Sequence, residues 1–489
     1  MRAAARPTSR GRPELEELLT PLFLSRVQFA FVISFHILFP AFTIGLAHWL
    51  AFVEWRWLRT RDDLWRDVYF FWLKIFAVSF GMGVVSGIVM SFQFGTNWAV
   101  LSERAGSILG PLLSYEVLTA FFLEATFLGV MLFGWRKVSD RLHFFATCMV
   151  ALGTLLSTFW IISANSWMQT PQGYVIDAAG FFQPADWWAI VFNPSFPYRL
   201  AHMVLAAFIT TCFVIGGVSA WYLRRGVHRE AAWRTLKHAV AFAAIAVPLQ
   251  ILAGDLRGLN VGEHQPVKLA AIEAHWHDEA PGAGTPLVLF AWPDEQAERN
   301  DHEIAIPRLG GLILKHEWDG RIQPLTAVPR SERPPVAPVF FAFRIMVGLG
   351  VLMLLLTLAS LWAWRRGTLE RARWLLDGWR WMSISGFIAL LAGWYVVEIG
   401  RQPYVVYGLL RTSEAVSPNI VAAAVMTSLI VYACTYTVIF GAGSWYIRKL
   451  MLVGPVKQPP KDTQGGEKTP ARPMSLPDET LDAGPGAQP

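Results

Sequence analysis

The stretch VQFAFVISFHILFPAFTIGLAHWLAFV (27–53) decides the fold class of this chain. It contains no Asp, Glu, Lys or Arg, and it is longer than the roughly 20 apolar residues with which a helix crosses a bilayer. Eight further apolar runs follow it, at about 70–94, 112–134, 144–166, 200–223, 238–254, 338–364, 382–400 and 419–447. The sequence therefore predicts an all-α integral membrane protein with nine transmembrane helices.

The composition supports a membrane protein and excludes several other classes. Of the 489 residues, 54% are hydrophobic and 16% are charged, whereas a soluble chain carries about a quarter charged residues. The net charge of +6 does not indicate nucleic-acid binding, because the basic residues cluster in short gaps between apolar runs. Cys148, Cys212 and Cys434 lie inside apolar runs without a CxxC motif, which favours packing over a disulfide framework or a zinc site.

Lys and Arg are unevenly distributed between the gaps. The gaps after odd-numbered runs are rich in them and the gaps after even-numbered runs are poor. The positive-inside rule then predicts a periplasmic N-terminus and a cytoplasmic C-terminus, although the arginines of the N-terminal tail alone favour the reverse. We expect an N-terminal tail, six helices, a periplasmic loop, three helices and a disordered cytoplasmic tail, at 1–23, 24–254, 255–337, 338–450 and 451–489. In the loop, KLAAIEAHW (268–276) predicts a short helix, and the rest is Pro-rich and expected to be irregular.

Polar side chains also stand inside the apolar runs, where a charged group costs about 2.5–3.5 kcal/mol on insertion scales and is a candidate functional residue. By the predicted topology, four candidates on the first, fifth, seventh and eighth runs share the outer half of the membrane. We call them the ligand cluster: His36, His202, Met346 and Glu398. Singly, each is more often a structural or packing residue, but their convergence favours metal binding.

Iron porphyrin suits these side chains. A His/Met pair gives a six-coordinate haem for electron transfer, whereas a single His or Glu leaves a coordination position open for dioxygen. Arg199, Arg344 and Arg401 each stand two or three residues from a cluster member, where a guanidinium could hold a haem propionate. Ordinary interfacial arginines are the alternative for any single pair. Three histidines near cytoplasmic helix ends are interpreted as interfacial: His48, His143 and His238.

Glu116 and Glu124 form a second pattern, in the third run. They are eight residues apart, which is about 12 Å along a helix axis. Two intramembrane carboxylates in series are typical of a proton relay. A pair of hydrogen-bonded structural carboxylates is the alternative that stays open.

Seven segments, in chain order, resemble subunit I of the cytochrome bd quinol oxidases. The resemblance runs from about residue 24 to residue 450 and crosses all nine predicted helices. FQFGTNW, together with GRQP after a helical Glu, is highly specific for this family. The segments are LSRVQFAFVISFHILF (24–39), FQFGTNW (92–98), YEVLTAFFLEATFLGVMLFGW (115–135), ANSWMQTP (164–171), KLAAIEAHW (268–276), FAFRIMVGLG (341–350) and GWYVVEIGRQPY (393–404).

The resemblance implies a role for each member of the ligand cluster. His202 and Met346 resemble the axial ligands of the low-spin haem b that receives electrons from quinol. Glu398 resembles the ligand of the high-spin haem b, and His36 resembles the ligand of haem d, or of a third haem b in its place. Trp394 matches an aromatic residue that lies between haems.

The resemblance also implies a quinol site, a proton path and partners. Lys268 and Glu273 match the quinol-site residues, and Glu116 and Glu124 match the carboxylates of the proton path. The implied function is a haem-bearing subunit in the bacterial inner membrane that oxidises quinol at the periplasmic face and reduces dioxygen to water. It would build a proton gradient without pumping. The implied partners are a second membrane subunit and small single-helix subunits.

Two features depart from the family pattern. The predicted quinol loop is short, which resembles the branch that includes cyanide-insensitive oxidases. Tyr404 stands where the GRQP motif usually continues with Trp, and we expect altered packing near the high-spin haems.

Three rival functions predict other features. A haem–copper oxidase needs a cluster of intramembrane His residues, whereas the close pair His275 and His277 lies in the predicted loop. A proton-coupled transporter would be colourless, with polar binding groups near the membrane midplane. A non-catalytic subunit would carry haem without turning over oxygen.

Overall fold

The computed structural model describes residues 19–280 and 282–458. The predicted N-terminal tail up to residue 18 and the predicted disordered tail from residue 459 lie outside the described residues. Within the described ranges, nine helices are long and apolar enough to cross a membrane, which confirms the predicted number. They are α1 Pro21–Thr60, α2 Asp63–Thr96, α3 Ala99–Phe133, α4 Asp140–Gln169, α5 Phe196–Arg225, α6 Arg229–His264, α7 Val336–Arg365, α8 Arg373–Ile399 and α9 Ala422–Val453.

Short polar connections set the helix ends. The Thr20 hydroxyl accepts a hydrogen bond from the Phe23 amide at the start of α1, and the Asp62 carboxylate accepts one from Leu64 at the start of α2. Ser139 caps α4 in the same way. Each cap satisfies an amide that has no partner inside its helix. With only two residues between α1 and α2, the two helices must run antiparallel and pack against each other.

The first helix lies at the centre of the bundle and packs against α2, α4, α5 and α9. Leu46, Leu50 and Val53 of α1 are fully buried in the largest apolar cluster of the described residues. The outer faces of α3, α7 and α9 are apolar but exposed, as expected for surfaces that meet lipid or another membrane subunit. Examples are Leu118, Phe122, Leu355 and Val438.

The two ends of the bundle differ. One end carries the connections after α4, α6 and α8, which we call the loop end. There the Tyr407 amide donates to the Met168 carbonyl over 2.9 Å and joins the connection after α8 to the last turn of α4. The opposite, arginine-rich end carries ion pairs between helix ends, such as Arg61–Asp140 at 2.7 Å and Arg224–Asp377 at 2.9 Å.

The connection between α6 and α7 is more ordered than the sequence predicts. Helix α6 continues to His264, ten residues into the predicted loop, and the predicted short helix spans Pro266–Glu273. The expectation of an irregular remainder was wrong, because an antiparallel hairpin lies within it. The Asp294 carboxylate closes the hairpin turn, because it accepts hydrogen bonds from the Gln296 and Ala297 amides. The other two hairpins also lie at the loop end. In chain order, the strands are β1 Tyr174–Ile176, β2 Phe182–Pro184, β3 Leu287–Asp294, β4 Arg299–Ile306, β5 Tyr404–Val406 and β6 Leu410–Arg411.

Candidate functional site

His36 presents one ring nitrogen to α2. Its Nδ1 lies 3.0 Å from the Ser86 hydroxyl oxygen. The Ser86 hydroxyl also contacts the Gly83 carbonyl of its own helix at 2.9 Å, and when its proton points there the His36 Nδ1–H donates to the serine oxygen. Its Nε2 is then left with a free lone pair, which is the form that binds a metal. A Cβ at Gly87 would come within 3.1 Å of the ring, so the absence of a side chain at Gly87 provides space for the imidazole.

His202 and Met346 also lie over glycines of neighbouring helices. A Cβ at Gly254 of α6 would lie 3.4 Å from the His202 ring, and a Cβ at Gly393 of α8 would lie 2.8 Å from the Met346 sulfur. Buried His202 Nδ1 has no hydrogen-bond partner among the described residues. Helix α6 packs against both α5 and α7, the helices that carry the two side chains. A buried imidazole nitrogen without a protein partner fits a metal ligand.

Glu398 joins α8 to α4. Its carboxylate accepts a hydrogen bond from the Asn165 amide over 3.1 Å and pairs with Arg401 one turn later. The Asn165 oxygen accepts from Arg199 of α5. Both arginines are buried, and each retains guanidinium N–H groups without a partner in the described part of the chain. Unused donors on buried cations fit the carboxylates of haem propionates.

Lys268 lies beside this network. Its ammonium group is buried and donates to Gln169 at the end of α4 over 2.5 Å, and to Gln265. A Cβ at Gly400 would meet the Lys268 side chain at 2.9 Å, so glycine allows the close approach. Burial, and then the charges of nearby arginines, hold the pKa of Lys268 well below its usual range. The cations around Glu398 outnumber its single negative charge, so the region favours anionic groups. The charge of Arg257, on α6, also acts on Glu398 and on Lys268. We call these four residues the cationic cluster: Arg199, Arg257, Lys268 and Arg401.

Glu273 is the last residue of the short loop helix, and only one of its two carboxylate oxygens has a hydrogen-bond partner among the described residues. The side chain is buried, and one oxygen accepts from Arg344 over 2.8 Å. The other oxygen has no partner among the described residues. Arg344 also donates to the Val288 and Ile272 carbonyls. Its guanidinium therefore ties the loop to α7, and its predicted contact with a propionate stays a prediction.

Glu116 and Glu124 face the same helix. The Ser157 hydroxyl of α4 donates to Glu116 over 2.8 Å. Gly153, one turn away on α4, lies against Glu124, because a Cβ there would be 2.5 Å from the Glu124 Cγ. A π-helical segment, Val117–Phe121, separates the two carboxylates. Such segments often mark functional sites in helices.

Trp394 and Tyr404 complete the predicted residues. Trp394 packs against an apolar cluster that includes Ile37 of α1, the chain neighbour of His36, and Ala207 of α5. Tyr404 donates its hydroxyl to the Glu332 carboxylate over 2.6 Å. The hydroxyl, absent from the Trp that is usual in the family, thus links the GRQP segment to the 3₁₀ turn Arg330–Glu332, which precedes α7.

The sequence interpretation of His143 was wrong. The side chain is 1% exposed and its Nδ1 lies 2.6 Å from Glu54, whose side chain is fully buried. Glu54 was not recognised as a candidate, because it follows the end of the first apolar run beside Arg56 and so resembles an interfacial residue. The only available signal was a lone carboxylate among aromatic residues, in AFVEWRW (51–57).

Comparison with known proteins identifies the family of the chain. Residues 24–455 match the family model of cytochrome bd terminal oxidase subunit I. The chain is 34% identical to the cytochrome bd-II ubiquinol oxidase subunit 1 of Escherichia coli K12, covering 88% of this chain and 96% of that protein. It is 35% identical to the cytochrome bd ubiquinol oxidase subunit 1 of Bacillus subtilis 168, covering 86% and 91%.

A solved structure is also similar. A chain of the bd oxidase from Geobacillus thermodenitrificans superposes with a TM-score of 0.82 and 28% sequence identity, covering 89% of this chain and 99% of that chain. The family match spans all nine described membrane helices, and the shared fold extends over nearly the whole of the solved chain. The protein belongs to the cytochrome bd terminal oxidase subunit I family.

Proposed function

We propose that this multi-pass membrane protein is the haem-bearing catalytic subunit of a terminal oxidase that oxidises quinol and reduces dioxygen to water. The observation that carries the proposal is the cationic cluster at the loop end, where buried Arg and Lys side chains surround Glu398. Buried cations in excess of their partners are costly unless anions bind there. Haem propionates would supply those anions beside the predicted ligands.

The resemblance to the family assigns a haem to each member of the ligand cluster. His202 and Met346 would hold a low-spin haem b, Glu398 a high-spin haem b, and His36 a haem d or a third haem b. Arg199 and Arg401 would bind propionates through their unused N–H groups. When bound, these haems supply electron transfer from quinol and an open iron position for dioxygen.

The chain's own residues bind quinol and take its protons. The free Glu273 oxygen is an acceptor for a quinol hydroxyl, and Arg344 holds that carboxylate in place. Lys268, fixed by Gln169 and Gln265, lies on the same short helix. A proton taken by Glu273 leaves at the loop end, which the positive-inside rule assigns to the periplasm.

Protons for water formation enter from the other side. We place the protein in the inner membrane of a bacterium. The positive-inside rule then puts the arginine-rich end in the cytoplasm and the N-terminus in the periplasm. Glu124 and Glu116 pass protons along α3 toward the ligand cluster. Taking protons on one side and releasing them on the other builds a gradient without a pump.

The exposed apolar faces of α3, α7 and α9 offer surfaces for a second membrane subunit and for small single-helix subunits. The large exposed side chains on these faces, such as Trp362 and Val438, are apolar. Burial against another membrane helix suits them as well as lipid does.

Oxygen uptake by the purified oxidase, driven by reduced quinol, tests the proposal. We expect turnover in the wild type and its loss in His36→Ala. The control His48→Ala, on the same helix, should retain turnover, because the His48 Nδ1 bonds a carbonyl of its own helix. A wild-type protein without haem bands would favour the transporter. Haem without oxygen uptake would favour a non-catalytic subunit, and full turnover in His36→Ala would refute the oxygen-site assignment.

A further inference from the structure

We propose that Glu54 of α1 and His143 of α4 form a proton-loading pair that feeds Glu124 from the arginine-rich end. The inference rests on the proposed oxidase function, because reduction of dioxygen to water consumes protons. It adds a step ahead of Glu124 and Glu116, at the opposite end of the bundle from the quinol loop.

The hydrogen bonds of Glu54 and His143 require that the pair holds a transferable proton. The Glu54 Oε1 lies 2.6 Å from His143 Nδ1, while His143 Nε2 lies 3.2 Å from the Met131 carbonyl. A carbonyl can only accept, so Nε2 carries a hydrogen. The short contact at Nδ1 then needs a second hydrogen, either on the Glu54 carboxyl or on the imidazole. In both arrangements the pair is neutral overall and has one proton to give.

Neighbouring groups are arranged around that shared proton. The Thr147 hydroxyl donates to the other Glu54 oxygen over 2.6 Å, and the Tyr69 hydroxyl lies 3.3 Å from Thr147. Trp135 packs edge-on against His143, with ring centroids 4.9 Å apart. The pair is therefore shielded from lipid and bulk water, and burial of a neutral pair avoids the cost of an isolated charge.

The pair lies between Asp140, at the surface of the arginine-rich end, and Glu124, inside the membrane. Asp140, one turn before His143 on α4, reaches the surface in an ion pair with Arg61 and has a side chain that is 25% exposed. Toward the membrane, the His143 ring contacts α3 at Met131, seven residues after Glu124. Seven residues keep nearly the same helix face and span roughly 10 Å. A proton crossing this span would need a chain of two or three waters, at about 2.8 Å per bond.

The transfer balances without a co-reactant. A proton from the arginine-rich side adds to the pair as the proton that the pair already holds leaves for Glu124. The pair returns to its one-proton state, and no electron moves. Only a group that titrates can do this, so an isosteric amide at residue 54 should block it while keeping the shape of the site.

The test uses the assembled oxidase with Glu54→Gln, Glu54→Asp and the control His48→Gln. We expect Glu54→Gln to keep the wild-type haem spectrum and to lose at least about a hundredfold in quinol-driven oxygen uptake, the lower end of the usual range for a lost acid–base group. Its deuterium solvent isotope effect should exceed that of the wild type. Glu54→Asp, which keeps an acid, should recover part of the rate, and His48→Gln should resemble the wild type.

Other outcomes overturn the inference. Wild-type turnover and isotope effect in Glu54→Gln would remove the pair from the path. Loss of haem from both Glu54 variants would assign the pair a purely structural role. If Glu54→Gln alone loses haem, His143→Gln decides, and unchanged turnover in that variant also refutes the relay. A wild-type enzyme that does not reduce oxygen with quinol would instead refute the proposed function itself.

Discussion

Several residues of the candidate site have buried polar atoms with no hydrogen-bond partner among residues 19–280 and 282–458. They include His202 Nδ1, one Glu273 oxygen, and guanidinium N–H groups of Arg199 and Arg401. A buried polar group without a partner costs about 1–3 kcal/mol. Ligands that supply the missing partners would recover that free energy, so the atoms mark where haem and quinol are expected to bind.

Glu273 gives the first prediction at this scale. Glu273→Gln removes the negative charge that meets Arg344 and the proposed quinol hydroxyl. Loss of a charged hydrogen bond of about 1.5–3 kcal/mol corresponds to roughly a tenfold to hundredfold fall in kcat/KM for quinol. Steady-state oxygen uptake at varied quinol concentration measures this. Asp278→Asn, on the exposed part of the same loop, is the control, and an unchanged kcat/KM in Glu273→Gln would remove Glu273 from the quinol site.

Lys268 gives a pH dependence. Burial, followed by the charges of Arg199 and Arg401, lowers the pKa of Lys268, so it loses its proton at a lower pH than an exposed lysine does. If the ammonium group binds quinol, the KM for quinol rises as the pH rises through this lowered pKa. Lys268→Arg keeps its charge and should lack that rise, whereas Lys268→Met should show a high KM at every pH. The same pH profile in wild type and Lys268→Arg would contradict this role.

Helix α3 shows how one element can align two carboxylates. Eight residues of regular α-helix would turn Glu124 about 80° away from Glu116, at about 100° per residue. The π-helical segment Val117–Phe121 absorbs one residue, so the two side chains are offset by only about 20°. Both then face α4, at Ser157 and Gly153. The segment thus keeps both groups on one path.

Changes in the length of this segment test the alignment. Deletion of Leu118, an exposed residue, should restore a regular helix in which the two carboxylates are seven positions apart and keep their faces, so activity should stay within a few-fold of wild type. Insertion of one Ala after Leu118 should rotate Glu124 by about 100° and lower turnover at least about a hundredfold. Oxygen uptake normalised to haem content compares the two. Equal turnover in both variants would show that the alignment does not matter.

Helix α4 connects the site along its length. Ser157 contacts Glu116, Asn165 contacts Glu398, and Gln169 contacts Lys268. At its other end, His143 meets Glu54. The proposed proton path, the ligand cluster and the quinol loop therefore share one rigid support.

At the scale of the molecule, the sequence was sufficient to predict the membrane helices, because the lipid environment restricts the backbone to few structures. A membrane span must satisfy its own backbone hydrogen bonds, so nine apolar runs predicted nine helices. The hairpin of β3 and β4 was missed because LVLFAWPD (287–294) lacks a polar alternation and its partner strand is mostly polar. The π-helical segment contains no Gly or Pro that would indicate it.

The candidate site was predictable only in part, for a similar reason. His36, His202, Met346 and Glu398 stand out as single side chains inside apolar runs. The pair of Glu54 and His143 depends on a contact between residues 89 positions apart in the chain. Its members lie at helix ends, where a polar residue carries little information. Such pairs become visible only when the helices are packed together.

The most direct test of the whole account is the reduced-minus-oxidised spectrum and haem inventory of the purified oxidase with Met346→Leu. Met353→Leu, seven residues later on α7 and buried in an apolar cluster, is the matched control. We predict that Met346→Leu loses the low-spin haem b signal and quinol-driven oxygen uptake, while Met353→Leu retains both. A Met346→Leu spectrum that is indistinguishable from that of the wild type would contradict the central claim that side chains of α5 and α7 hold this haem.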